Sequence, residues 1–238
     1  MTAIVGFVRQ TLSIIITDNR INYGKHQEFG YDDTRSKLFN LPDMGWACGA
    51  GLSVFIDSFK ESLVSEPIED THKIVEIYKK AINSAKSFNP ELAEFIDDSV
   101  VMASWFGAST EKITFRIGFS SKSHYGDHLA LLNDNEILVI YPPEYLESKE
   151  KVRDLVDRFP LKMDSNDGIN IILERMLKIF NEISNNSKFV STTCEVGMHE
   201  FTYEGVIKSK IAGESRELIT ELENGRITER IEIVDVIR

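Results

Sequence analysis

The chain has too few cysteines to be held together by disulfides. There are two in 238 residues, Cys48 and Cys194. Each sits among apolar, strand-forming neighbours, so both read as reduced and buried, and no cysteine zinc site follows. No apolar run comes near the ~20 residues that span a bilayer. Met1 is followed at once by strand-like sequence, without the basic and apolar regions of a secretory leader. Cations are outnumbered: 27 Lys and Arg face 38 Asp and Glu, a formal net charge of −11. With no basic or aromatic-rich stripe either, a nucleic-acid partner is not expected. The histidines, His26, His72, His124, His128 and His199, lack a metal-ligand spacing. His124 and His128 are four apart, but the Tyr125-Gly126-Asp127 between them reads as a loop rather than a helix. Cys48-Gly49-Ala50-Gly51-Leu52 has neither the Lys-Ser/Thr of a P-loop nor the spacing of a dinucleotide fingerprint. These absences describe a cytoplasmic protein with no membrane, nucleic-acid, metal or cofactor partner.

What is present is enough apolar material for a sizeable core, 42% of residues. The length suits one domain over 1–238 better than two. Residues 2–8 and 12–17 read as β-branched strands, the second buried on both faces because its polar alternation is weak. A polar stretch, 19–36, leads to a second strand pair at 37–41 and 45–50. Ser53 then stands as the N-cap of a helix whose buried face holds Val54, Phe55, Phe59 and Leu63. A second helix is expected from about Asp70. Strands are predicted at 99–107, 112–119, 128–132 and 136–141. Helices follow near 148–159 and 167–184, the latter with a stripe of Ile169, Ile172, Met176, Leu177, Phe180 and Ile183. Strands at 189–203 and 205–210, a short helix from Glu214 and a strand near 227–237 complete the order. Two stacked sheets with helices outside accommodate it.

The second residue carries the chemistry. Removing Met1 would leave Thr2 with a free α-amine beside its own hydroxyl. Such an amine titrates near pH ~7.7–8.0 and can act as general base for the hydroxyl on the same residue.

Four stretches in order resemble the opening of a proteasome β-type subunit, a member of the N-terminal nucleophile (Ntn) hydrolases. They are Thr2-Ala3-Ile4-Val5-Gly6, Ile14 to Arg20 with its Asp18-Asn19-Arg20, Ser36-Lys37-Leu38-Phe39, and Cys48-Gly49-Ala50-Gly51-Leu52. The resemblance is good over residues 2–63 and topological afterwards. It implies an α+β fold, a four-layer αββα sandwich of two antiparallel sheets flanked by helices. It also implies Thr2 as nucleophile, Lys37 as the lysine beside it, and Asp18 as the acid that keeps that lysine charged. Gly51 would supply a backbone N–H for the oxyanion. Arg20 would be a structural or substrate-pocket neighbour, and a loop from Tyr23 to Thr34 would shape specificity. A peptide or amide substrate and a homo-oligomeric assembly are further implications.

The later sequence departs from the pattern. Where the family has a Ser-Gly turn, this chain has Ile140-Tyr141-Pro142-Pro143-Glu144-Tyr145. Where it has Asp-x-x-Ser, this chain has Lys188-Phe189-Val190-Ser191. Ser191 can take the serine's place, but Lys188 stands where a carboxylate is expected. The front of the site is therefore expected to be complete and its rear support missing. Two alternatives follow: a catalytically inactive structural or binding subunit on the same fold, or an unrelated α/β protein with an accidental likeness.

Overall fold

The computed structural model describes residues 2–22, 30–42, 44–66, 71–108 and 113–237. The strands β1 (Ile4–Arg9) and β2 (Leu12–Asp18) come first, followed by a two-stranded ribbon of β3 (Ile21–Asn22) and β4 (Tyr31–Asp32). β5 (Phe39–Leu41) and β6 (Gly45–Ala50) lead into α1 (Ser53–Ser65), α2 (Thr71–Phe88) and the short α3 (Ala93–Asp97). β7 (Val100–Ala108) and β8 (Ile113–Ser120) precede α4 (Lys122–Tyr125), β9 (Ala130–Leu131) and β10 (Glu136–Ile140). Then come α5 (Pro143–Leu146), α6 (Lys149–Arg158), α7 (Ile169–Asn185), β11 (Thr193–Thr202), β12 (Gly205–Glu214), α8 (Ser215–Glu223) and β13 (Glu232–Ile237).

The strands form two large antiparallel sheets. One has six strands in the order β10-β1-β2-β11-β12-β13, the other five in the order β5-β6-β7-β8-β9. With the helices this is an α+β fold. Its apolar side chains segregate into three clusters. Val5, Phe7, Ile14 and Ile16 of the six-stranded sheet pack with Ile172, Met176 and Phe180 of α7 and Leu218 of α8. Phe39, Ala47, Val101 and Trp105 of the five-stranded sheet pack with α1 and α2. There Tyr78 meets the rings of Phe55 and Phe59 edge-on at 5.9 and 6.3 Å, contacts worth ~0.5–1.5 kcal/mol each. The third cluster draws on both sheets: Ile4, Val8 and Ile15 from one, Trp46, Met102, Phe115 and Ile117 from the other. Trp46 lies so close over Gly197 that a Cβ there would fall 2.6 Å from the indole. The indole N–H donates to the Met198 carbonyl at 3.2 Å.

Strand and helix positions follow the hydrophobic patterning. β2 is buried along its whole length, and Ile172, Met176, Leu177, Phe180 and Ile183 are the buried stripe of α7. Several expectations need correction. Ser53 is the first helical residue, not the cap; Leu52 is the N-cap, and its N–H is taken by Ser99 Oγ at 3.0 Å. Val54 is exposed. The polar stretch 19–36 contains the β3–β4 ribbon rather than plain loop. Residues 189–192 precede β11 in turns, and 227–230 form a 3₁₀ turn before β13. The strand at 128–132 shrinks to Ala130–Leu131, and α4 extends over Tyr125, a residue whose sequence reads as loop. The proline pair opens α5, with Pro143 at the start, where a missing N–H costs nothing. Met1, residues 23–29 with His26, Asp43, Asp70 and Lys112 lie outside the described residues.

Candidate active site

Thr2 sits just before β1, and Asp18 ends β2 beside it. The β1–β2 register pairs Ile4 with Thr17, which brings Ala3 against Asp18. The fully buried Asp18 carboxylate is held from three sides. Oδ1 accepts the Ala3 N–H at 3.1 Å, and Oδ2 accepts the Arg20 N–H at 2.9 Å and the Lys37 ammonium at 3.0 Å. Lys37 Nζ also donates to Thr2 Oγ1 at 2.8 Å. The structure thus brings Thr2 and Asp18, from two segments, onto the ammonium of Lys37 from a third.

Lys37 is brought there by flanking contacts that the sequence did not advertise. It precedes β5 rather than lying within it. Ser36 donates its hydroxyl to Glu195 Oε2 at 2.6 Å, and the Leu38 N–H reaches the same oxygen at 3.4 Å. Glu195, on β11, is itself buried and bonded to the Lys210 ammonium. The residues on either side of Lys37 are therefore clamped by one carboxylate from the opposite sheet. A lone acid inside the apolar run Cys194-Glu195-Val196 was the available signal, because an acid is rarely buried without such a task.

Burial dominates the electrostatics. It pushes the Asp18 carboxyl above its ordinary value, against the opposing pull of Lys37. It pushes the Lys37 ammonium below its ordinary value, while Asp18 and then Asp33 act to keep the proton on. A lysine so placed gives up its proton more readily than a solvated one. Nearby Cys48 is no competitor as nucleophile: burial raises its thiol far out of the reactive range.

Gly51 closes β6. Continuing the β5–β6 register from the Phe39–Ala47 pair sets Gly49 opposite Lys37, with Gly51 two residues further on. Its φ of +131° belongs to glycine alone, and a Cβ would meet Ser99 Oγ at 2.2 Å. Ser99, which donates to the Phe95 carbonyl at 2.8 Å and caps the Leu52 N–H, fixes this turn.

Ser191 stands apart from the triad. Its hydroxyl lies 2.5 Å from Thr193 Oγ1 and accepts the Thr193 N–H at 3.1 Å, and it helps to keep the Asp33 carboxyl below its ordinary pKa. The rear is not short of a carboxylate: Asp33 stands there, one residue past β4. Arg20 grips both its oxygens, Nε to Oδ1 at 2.8 Å and Nη2 to Oδ2 at 2.7 Å. Arg20 Nη1 donates to the Lys188 carbonyl at 2.8 Å, and its guanidinium lies 4.6 Å from the Tyr31 ring centre. Lys188 contributes its backbone here, while its ammonium lies over the Phe189 ring.

Among the described residues no group of three or more His, Cys, Asp or Glu could hold a metal ion, and no helix is long and apolar enough to cross a membrane.

No protein-family model matches the chain, and no curated protein matches it in sequence. Solved structures do match in shape. One is the Anbu (Gly-1) mutant from Hyphomicrobium sp. strain MC1, with a TM-score of 0.61, 14% identity, and cover of 99% of this chain and 100% of that one. Another is Anbu (ancestral beta-subunit) from Yersinia bercovieri, with a TM-score of 0.62, 11% identity, and cover of 94% and 92%. At such identities the likeness is one of fold, and it extends along almost the whole chain.

Proposed function

We propose that the chain is an N-terminal threonine hydrolase of the proteasome-like type, acting on a peptide or amide through Thr2 once Met1 is removed. Residues 1–238 would form one Ntn-type domain, a four-layer αββα sandwich. The three apolar clusters support that layering, with one under each helix layer and one between the sheets. The likeness to a protein described as an ancestral beta-subunit supports the type, and with it assembly as a homo-oligomer.

A single observation carries the mechanism: Lys37 Nζ lies 2.8 Å from Thr2 Oγ1 and 3.0 Å from Asp18 Oδ2. The ammonium lowers the cost of negative charge on the oxygen, and Asp18 orients it. The freed α-amine of Thr2 takes the hydroxyl proton as Oγ1 bonds to the substrate carbonyl carbon. The tetrahedral oxyanion would meet the Gly51 N–H, a fixed donor worth ~2.7–4 kcal/mol in comparable sites. The α-ammonium passes its proton to the departing amine nitrogen, leaving an ester on Thr2. Water, activated by the same amine, then releases the acid.

The rival is an inactive proteasome-like structural or binding subunit, favoured by the proline pair, which opens α5 where the resemblance implies a Ser-Gly turn. Intact mass of the native protein, before and after a β-lactone that acylates N-terminal threonine, separates the two. Loss of Met1 with one adduct on Thr2, absent in Thr2→Ala, is the expected result. Quantitative retention of Met1 selects the inactive subunit.

A further inference from the structure

Asp33 is a second carboxylate at the Thr2 site, supplied by the segment after β4. Its link to the site is a chain of short contacts. Both its oxygens are bound by the Arg20 fork. The backbone N–H of the same Arg20 is bound by the Asp18 oxygen that also holds Lys37. A third Arg20 donor is fixed on the Lys188 carbonyl, which ties the pair to the turn that leads into β11. Arg20 is mostly buried, its side chain 19% exposed, while the Asp33 side chain is 38% exposed. A forked guanidinium–carboxylate pair is more directional than a lysine pair would be. It pins the end of β2, where Asp18 must hold its angle, to two other segments.

We propose that Asp33 is a positioning residue of the Thr2 site, acting on Lys37 through the Arg20 it clamps and by its own charge. The inference rests on the assignment of Thr2 as nucleophile. Neutralising Asp33 has two effects of the same sign. Its negative charge no longer favours the Lys37 ammonium, and the positive charge of Arg20 is left unbalanced beside it. Among the described residues, the groups acting on Lys37 include Asp18 from β2, Asp33 itself and Cys48 from β6. Those acting on Asp33 include Arg20, Ser191 and the neighbouring Asp32. Arg20 guanidinium above all, aided by Ser191, holds the Asp33 carboxyl below its ordinary value, so it is ionised wherever the site would operate.

The test compares wild type, Asp33→Asn and Asp33→Glu by two measurements. One is the pH profile of Thr2 acylation by the β-lactone. The other is the titration of the Lys37 side chain followed by NMR of labelled lysine, which needs no turnover. In Asp33→Asn the Lys37 midpoint, and with it the alkaline limb of acylation, is expected to move down by about half a pH unit, the size of a partly screened charge. Asp33→Glu should return it towards wild type. A Lys37 midpoint unmoved in Asp33→Asn overturns the proposal, including the case in which acylation merely weakens at every pH. If wild-type Thr2 is not acylated at all, the nucleophile assignment fails, and the lysine titration still decides whether Asp33 acts on Lys37. Should Asp33→Asn fold poorly, Arg20→Gln, which removes the clamp and keeps the carboxylate, provides a second reading. In that variant an unmoved Lys37 midpoint and unchanged acylation would likewise reject Arg20 as the link.

Discussion

Two lysines, one mostly and one fully buried, bracket the short strand β5, and they differ in what they face. Lys37 stands two residues before the strand, its side chain 13% exposed, with a carboxylate at 3.0 Å and a hydroxyl at 2.8 Å. Lys208, on β12, reaches across from the six-stranded sheet to the other end of β5. It is fully buried and donates to the Leu41 carbonyl at 2.9 Å, with Asp235 Oδ2 3.9 Å away. Its partner in the β11–β12 register is His199, another fully buried ionisable group. Lys208 is the more deeply buried of the two, yet its acceptor is a main-chain carbonyl that has no proton to give. Lys37 faces an oxygen that has one. A buried cation becomes candidate chemistry through the group it faces, and otherwise serves as a strut between sheets.

The sharpest way to break this comparison is to make both lysines methionine. Lys37→Met should reduce β-lactone acylation of Thr2 by ~10²–10⁴-fold, the usual range for a positioned proton-handling group. The fold should survive, because Asp18 loses its cation but can take up a proton and keep its two backbone N–H donors. Lys208→Met should leave acylation close to wild type. It should instead lower stability by ~1–3 kcal/mol in urea unfolding, since the Leu41 carbonyl is left buried without that donor. Acylation lost in Lys208→Met with a native melting curve would erase the distinction between site and strut.

The sequence made one end of this layer legible and the other not, for physical reasons. Thr2 and Asp18 lie at or beside the ends of strands whose β-branched runs identify them, and Lys37 directly precedes the apolar Leu38-Phe39. The hairpin register brings Thr2 and Asp18 together, whereas the place of Lys37 beside them was implied by the family resemblance alone. Asp33 escaped because it belongs to a polar stretch whose pairing, β3 with β4, spans only two residues on each side. Glu195 and Lys208 looked like ordinary charges on the period-2 face of a strand. Both face across to the five-stranded sheet, which no local pattern encodes. The Ser53 cap failed in a similar way: Ser99, forty-six residues on, supplies the hydroxyl that serves the helix start. Helices α3, α4 and α5 span at most five residues, too short to show a 3.6-residue period.

The two ends should also respond to acid with opposite signs, which gives the subtlest test. His199 has both ring nitrogens without hydrogen-bond partners and lies against the rings of Phe106 and Phe115. Burial first, and Lys208 second, hold its pKa down to about 3. The unfolded chain therefore holds a proton on this group between about pH 6.5 and 3 that the folded chain does not, so His199 lowers stability as pH falls through that window. Asp18 has its folded pKa raised by burial, so the folded chain takes up its proton first, and this group favours the folded state as pH falls. The slope owed to His199 approaches ~1.4 kcal/mol per pH unit once the unfolded imidazole is protonated. His199→Leu gives up no hydrogen bond at the ring, so it should flatten the fall in urea stability between pH 7 and 5 by that one proton. A slope in His199→Leu equal to wild type would mean that the folded protein already protonates His199 in this window, and the strut end would then be as open to protons as the site.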